Sequence, residues 1–131
     1  MWICSKIGFF SVVRKADGQV HVRARRRQDL VNLVQFCRLK IKVLDSHPGS
    51  DYGWRIICTS NQWGTIALAL ASSVTYDNFK RVIGQTPDQD DKLPVYSDFH
   101  HAMERYQRDG EVLAWPNDPP DGTIGREADQ G

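Results

Sequence analysis

The sequence lacks the long apolar segments that mark membrane proteins. Its longest apolar run, at residues 66–74, is far shorter than the roughly 20 residues that a membrane-spanning helix needs. The first residues also lack the pattern of a secretory signal peptide, because Lys6 interrupts them and no long apolar stretch follows. We therefore expect a cytoplasmic protein.

Cysteine is scarce as well. The three cysteines, Cys4, Cys37 and Cys58, are widely separated and form no Cys-x-x-Cys pair. An odd number of scattered cysteines in apolar surroundings argues against both a disulfide framework and a zinc site. We expect three reduced, buried thiols.

Common catalytic and metal-binding signatures are also missing, including a phosphate-binding Walker loop, a dinucleotide fingerprint, a Gly-x-Ser-x-Gly elbow and a His-Glu-x-x-His helix. His100 and Glu104 have helical i, i+4 spacing, but a structural role for them is the simpler interpretation. The acidic residues near 90 lack the glycine and the terminal glutamate of a calcium loop. We expect no cofactor, no metal and no catalytic residue, and an enzyme with a spatially assembled site is only a third alternative.

Charge of one sign is not in excess, since the formal net charge is +1, but the charges are unevenly distributed. Residues 1–60 contain eleven Lys and Arg against four Asp and Glu, whereas residues 61–131 contain six against twelve. A basic first half that gathers its charge on one face would attract a polyanion or an acidic protein surface. Alternatively, the two halves neutralise each other within the folded chain.

What is present is a pattern of strands and helices. Two aromatic and β-branched segments flank Asp17-Gly18, which is the sequence typical of a β-hairpin. Asp29 is a predicted N-cap for a helix with apolar residues at 30, 33, 34 and 37. The alternating segment 39–44 and the segment 52–60 predict a second hairpin, followed by a helix from Ser60 or Asn61 and a shorter one ended by Gly84.

These elements predict an α+β fold. The order ββαββα, with one more helix patterned over 95–106, indicates a four-stranded antiparallel sheet with helices on one face. A circularly permuted ferredoxin-like arrangement is one topology with this order. We predict a single domain at 1–109 and a flexible, proline- and glycine-rich tail at 110–131.

The most basic segment lies at the junction between the second strand and the first helix. His21, Arg23 and Arg25 alternate with apolar residues and are predicted to face away from the core. Beside Lys40 and Lys42, and with Phe10 or Trp54 nearby, they would form a cationic sheet face of the kind that binds single-stranded RNA. A solvated or salt-bridged face, or a protein-partner surface, explains the same pattern and is the preferred interpretation.

Arg26 and Arg27 have a different context, because they immediately precede the predicted helix. A helix N-terminus repels cations, so these two arginines need an acidic neighbour or an anionic ligand. We favour an acid of the protein itself, either Asp29 or one from the second half. The segment 51–55 forms either a ligand-binding lip, in which Trp54 stacks on a ligand and Arg55 pairs with an anion, or a turn that leads to a core tryptophan. The turn is the preferred interpretation.

Several short motifs resemble a family of small, uncharacterised bacterial and phage-encoded proteins. The matching residues fall in five groups along the domain: Met1, Trp2, Gly8, Phe9, Phe10 and Ser11; Val22 to Arg25 with Asp29 and Leu30; Asp51, Tyr52 and Arg55; Tyr76, Asn78, Phe79 and Lys80; and Tyr96, Met103, Arg105 and Gln107. The resemblance covers residues 1–107 and departs from the family pattern at His100, where a tryptophan is usual. It implies a compact single domain and no particular activity.

The phage association suggests an antagonist of a host defence system, such as an anti-CRISPR protein or a protein that sequesters a nucleotide signal. We therefore expect a small non-enzymatic binding protein whose charged surface engages a protein or ribonucleoprotein. The alternative is a protein that binds single-stranded nucleic acid or a nucleotide directly. A homodimer through the open sheet face or through a protruding edge strand is compatible with either. The predicted binding residues are Arg23, Arg25, Arg26, Arg27, Tyr52, Arg55 and Lys80.

Overall fold

The computed structural model describes residues 1–112, with side chains through Gly110. The chain divides into two compact units, Met1–Leu93 and a second that begins at Pro94. The first unit contains a five-stranded antiparallel sheet in the order β1-β2-β3-β5-β4. Its elements are β1 (Trp2–Cys4), β2 (Phe9–Arg14), β3 (Val20–Ala24), α1 (Arg27–Cys37), β4 (Leu44–Asp45), β5 (Trp54–Cys58), α2 (Ser60–Ser72), α3 (Phe79–Gln85) and a short 3₁₀ helix (Asp90–Lys92).

The prediction of an α+β fold with an antiparallel sheet is confirmed, but the four-strand count is wrong because Gly8 divides the first segment into two strands. Ser5 accepts hydrogen bonds from the backbone N–H groups of Ile7 and Gly8, which closes a tight turn between β1 and β2. A side chain at Gly8 would meet Asp29, since a Cβ there would lie 2.6 Å from the Asp29 Cβ. The turn therefore depends on a residue without a side chain.

The hairpin predicted around Asp17-Gly18 is present. Asp17 accepts from the backbone N–H of Gln19, and Gly18 has a φ of +84°, which favours glycine. The predicted alternation in β3 also holds, since its apolar side chains are buried and His21 and Arg23 lie on the other face. Across the hairpin, Ser11 pairs with Arg23.

The second predicted hairpin is wrong in its first strand. Residues 39–43 form no strand, and β4 is reduced to Leu44–Asp45 at the edge of the sheet. Leu39, Ile41 and Val43 are nevertheless half-buried against the core, so their alternation reflects side-chain burial without backbone pairing. The predicted four-stranded ββαββα order is therefore not matched.

The predicted N-cap role of Asp29 is also wrong. Helix α1 begins at Arg27, its N-cap residue is Arg26, and Asp29 is buried in the first turn. The next helix begins at Ser60, as predicted, but is capped by Thr59, whose hydroxyl accepts from the N–H of Gln62. Asn78 caps α3, which runs one residue past the predicted end at Gly84.

The core lies between one sheet face and helices α1 and α2. It contains apolar residues from β2, β3 and β5 packed against Leu30 and Leu33 of α1 and against Ile66 and Leu70 of α2. The opposite face, called the open face below, carries the alternate strand residues. This arrangement matches the prediction of helices on one face of the sheet.

The second unit contains helix α4 (Leu93–Val112), which begins at the last residue of the first unit. It includes the predicted helical segment 95–106 and extends past the predicted domain boundary at residue 109. The rest of the predicted tail, from residue 113, lies outside the described residues. None of the helices in the described part of the chain is long and apolar enough to cross a membrane.

Candidate anion-binding face

A single row of residues crosses the open face from one sheet edge to the other. The pairing registers place Trp2 opposite Ser11, Ser11 opposite Arg23, and Arg23 opposite Arg55. Leu44 of β4 completes the row beside Arg55. Because side chains of directly paired residues point to the same face, this row brings two arginines together near the middle of the sheet.

Arg23 and Arg25 are both held against the ring of Tyr52. Their guanidinium carbons lie 4.7 Å and 4.4 Å from the ring centroid, which is cation–π distance. Arg23 also donates to the Ser11 hydroxyl at 2.7 Å, and Arg25 donates to the Asp51 carbonyl at 2.9 Å. Tyr52 is almost fully buried, so the ring acts as a support that orients the two cations.

Arg55 is held by three neutral groups. Its Nε donates to Ser46 at 3.0 Å, and its Nη2 donates to Ser50 at 3.1 Å. Its Nη1 lies 3.1 Å from the Nδ1 of His21, which must accept because a guanidinium can only donate. The guanidinium is therefore held by three neutral groups, and within residues 1–110 it forms no ion pair.

Arg23, Arg25 and Arg55 are called the sheet-face arginines below. Within the described residues, none of them forms an ion pair with a carboxylate. Each is oriented by hydroxyls, a carbonyl, an imidazole or an aromatic ring instead. A cluster of arginines held in fixed positions by neutral groups is suited to bind an anion.

Burial and the positive charges of this site both affect the pKa of His21. Desolvation by burial lowers the pKa of His21 from 6.5, and the positive charges of Arg55 and Lys15 lower that pKa further. Arg23 acts in the same direction and Asp17 opposes it. Neutral His21 is thus the form that accepts the hydrogen bond from Arg55.

Arg26 and Arg27, predicted as binding residues, lie apart from this cluster at the start of α1. Arg26 forms a salt bridge with Asp91, at the surface. The partner of Arg26 is therefore an acid from the second half of the chain, which was one of the two partners that we predicted. Arg27 is exposed and makes no ion pair within residues 1–110.

Asp29, the other predicted partner of these arginines, binds different groups. Its Oδ1 accepts from the Lys92 ammonium at 2.8 Å and from the Gln89 amide at 2.9 Å. Its Oδ2 accepts from the backbone N–H of Phe9 at 3.2 Å. Asp29 and Gln89 are fully buried, so these contacts form an internal polar network that ties α1 to β2 and to the 3₁₀ helix.

The other residues predicted for binding or for the cationic face lie elsewhere. Lys80 lies on α3, and Lys40 and Lys42 lie in the segment that forms no strand. Phe10 is fully buried in the core, and Trp54 faces the core side of the sheet because it pairs with Ala24. The expected aromatic neighbours were therefore assigned to the wrong face.

The aromatic residues that do share the open face are Trp2 and Phe9. The Trp2 side chain is 70% exposed, and its ring contacts Phe9 edge-on at a centroid distance of 6.2 Å. Sequence reasoning missed Trp2 as a site residue because its face depends on the pairing of β1 with β2 beyond Gly8. Trp2 is identified as a site residue by the pairing register between β1 and β2, which the local pattern of apolar residues does not reveal.

The thiols and the acidic clusters do not form a second site. Cys4 is exposed, contrary to the prediction of a buried thiol, and Cys58 is buried. Desolvation raises the pKa of Cys4 and of Cys37, and raises the pKa of Cys58 to about 11, so all three thiols are protonated at neutral pH. The described residues contain no group of three or more side chains suited to hold a metal ion.

A comparison of the chain with family models, curated proteins and solved structures gives no match.

Proposed function

We propose that this chain is a non-enzymatic binding protein that engages an anionic partner through the sheet-face arginines. The observation that carries the proposal is the absence of a carboxylate partner for any of the three among the described residues. Folding holds these cations together on neutral groups instead. A partner that brings negative charge would supply the missing counter-ions.

Repulsion between neighbouring arginines on the open face would favour the binding of an anion. Arg23 and Arg55 are directly paired across two strands, and like charges in that position destabilise a sheet. Their side chains already have fixed partners, so an incoming anion would not have to order them. Binding would relieve the repulsion and would cost little side-chain entropy.

The partner belongs to one of two classes. One is an acidic surface of a protein or ribonucleoprotein, which would fit the hypothesis of a phage or mobile-element inhibitor of a host defence system. That hypothesis rests on the family resemblance and stays a prediction. The other class is single-stranded nucleic acid or a nucleotide, and the position of Trp2 in the same row as Arg23 and Arg55 favours it.

Binding to a generic polyanion tests the proposal. We expect the full chain to bind fluorescein-labelled poly-glutamate or heparin, and the variant Arg23→Gln/Arg25→Gln/Arg55→Gln to bind about tenfold or more weakly, because charge-assisted hydrogen bonds contribute about 1.5–3 kcal/mol each. The matched control removes three exposed arginines that lie outside the sheet, Arg81, Arg105 and Arg108. Equal losses in both triple variants would show that net charge alone governs binding and would contradict the proposal.

A further inference from the structure

Trp2 has an unusual position for a large aromatic side chain. It lies on an edge strand, yet its backbone is fixed, because β1 pairs with β2 and the Met1 carbonyl accepts from the Val12 N–H at 2.8 Å. Phe9 contacts the indole edge-on and supports it from one side. The result is a mostly exposed ring, 70% accessible, on an ordered strand.

The row that contains Trp2 also contains two of the sheet-face arginines. Trp2 and Arg23 are separated by two strand spacings, which is about 10 Å, and Arg55 lies one spacing farther at about 14 Å. About 10 Å corresponds to roughly three steps of a stacked nucleic-acid strand at about 3.4 Å each. One short strand can therefore reach both the ring and the cations.

We infer that the ligand of the open face is single-stranded nucleic acid, with a base stacked on Trp2 and phosphates held by the sheet-face arginines. This inference rests on the proposed anion-binding function and names its ligand. Each nucleotide joins a phosphate to a planar base. The row offers the Trp2 ring for the base and the arginine guanidinium groups for the phosphate. A duplex fits less well, because its bases are stacked on one another and cannot stack on the indole.

An acidic protein surface is the competing ligand. It would neutralise the arginines equally well, but it carries no repeating planar group at a fixed distance from its charges. Readout of base identity is not expected, because stacking and phosphate contacts are tolerant of sequence. The face should therefore bind oligonucleotides of different composition with similar affinity.

The test is fluorescence anisotropy of labelled single strands with the full chain. The probes are a thymidine oligonucleotide, an abasic strand of the same length, a matched duplex and labelled poly-glutamate. For the thymidine strand, the logarithm of affinity should fall with the logarithm of salt concentration with a slope of roughly −2, as about 0.7 per neutralised phosphate predicts for three arginines.

The Trp2→Ala variant separates base stacking from charge. We expect it to bind the thymidine strand about tenfold to a hundredfold more weakly, since that is the range for loss of one stacked base, and to bind the abasic strand as the unmodified chain does. The matched control is Leu68→Ala, which removes a side chain that is 73% exposed on α2. It should leave both affinities unchanged, and circular dichroism should show all variants folded.

The outcomes separate this inference from the proposed function. If poly-glutamate binds through the sheet-face arginines and the single strand does not bind, or if Trp2→Ala weakens abasic and thymidine strands equally, the nucleic-acid inference is overturned and anion binding stands. If Arg23→Gln/Arg25→Gln/Arg55→Gln binds every probe as the unmodified chain does, both fail. Preferential binding of the duplex would also contradict the inference.

Discussion

Two charged regions of this protein use their cations in opposite ways. Around Asp29, the positive charge of Lys92 is paired with a buried carboxylate, and the nearby Arg26 is paired with Asp91 at the surface. On the open face, the groups that orient the sheet-face arginines within the described part of the chain are uncharged. The cations of the first region are paired within the chain, whereas those of the second have no carboxylate partner among the residues that the structure describes.

The difference shows how a structural charge can be distinguished from a binding charge. The basic segment at residues 21–27 contributes to both, with Arg26 in the first region and Arg23 and Arg25 in the second. The Asp29 network has every carboxylate oxygen occupied and joins distant parts of the first unit. Removing the partner of a buried cation leaves an uncompensated buried charge and destabilises the fold, whereas a cation held by neutral groups is available to an anionic ligand.

The largest predicted effect follows from breaking the paired region. Asp29→Ala would leave the Lys92 ammonium, only 12% exposed, without its carboxylate and would leave the Phe9 N–H without an acceptor. We expect a loss of about 3–5 kcal/mol in the free energy of unfolding, because the remaining buried charge is uncompensated. Urea denaturation measures this, and a loss below about 1 kcal/mol would contradict the assigned role.

Gly8→Ala perturbs the same region by geometry instead of charge. The added Cβ would lie 2.6 Å from the Asp29 Cβ and 2.8 Å from the Phe10 ring, and both neighbours are fully buried. We expect a loss of about 1–3 kcal/mol in unfolding free energy, which is typical of overpacking. Gly53→Ala is the matched control, since a Cβ there meets no atom within 4 Å. Equal stability of both variants would rule out the close contact.

On the open face, removal of a charged side chain should change the free energy of unfolding much less. Arg55→Gln relieves the cross-strand repulsion with Arg23, so we expect stability to change by less than about 1 kcal/mol or to rise slightly. Added salt screens this repulsion, and the stability of the unmodified chain should therefore gain more from salt than that of the variant. A loss above about 2 kcal/mol, measured by urea denaturation, would mean that Arg55 is primarily structural.

The smallest predicted effect concerns pH. Because the folded-state pKa of His21 is lowered from 6.5, the unfolded chain binds more protons between that lowered pKa and 6.5. The contribution of His21 to stability is therefore present above pH 6.5 and is lost as the pH falls through that window. His21→Gln should remove this part of the pH dependence of urea unfolding. An unchanged profile would show that folding does not lower the pKa of His21.

The local features of the fold followed from sequence, because they depend on neighbouring residues. The turn at Asp17-Gly18, the alternation in β3 and the helical segments are examples. The strand predicted at residues 39–43 failed because burial produces the same alternation with or without backbone pairing. Pairing at a sheet edge depends on residues far along the chain.

The site was predictable in part for the same reason. Arg23, Arg25, Tyr52 and Arg55 were all candidates, but their convergence depends on the pairing of β3 with β5. Asp29 was misassigned because a capping aspartate and a buried one look alike in sequence. Its contacts with Gln89 and Lys92 span 60 and 63 residues, which no local pattern encodes.

We expect the sheet-face arginines to bind an added anion and Arg26 not to bind one. Nuclear magnetic resonance of the arginine Nε–Hε groups during titration with inorganic pyrophosphate tests this expectation most directly. We predict shifts for Arg23, Arg25 and Arg55 that saturate together, and little change for Arg26, which is paired with Asp91. Shifts at Arg26 as large as those on the open face, or none on the open face, would contradict the account.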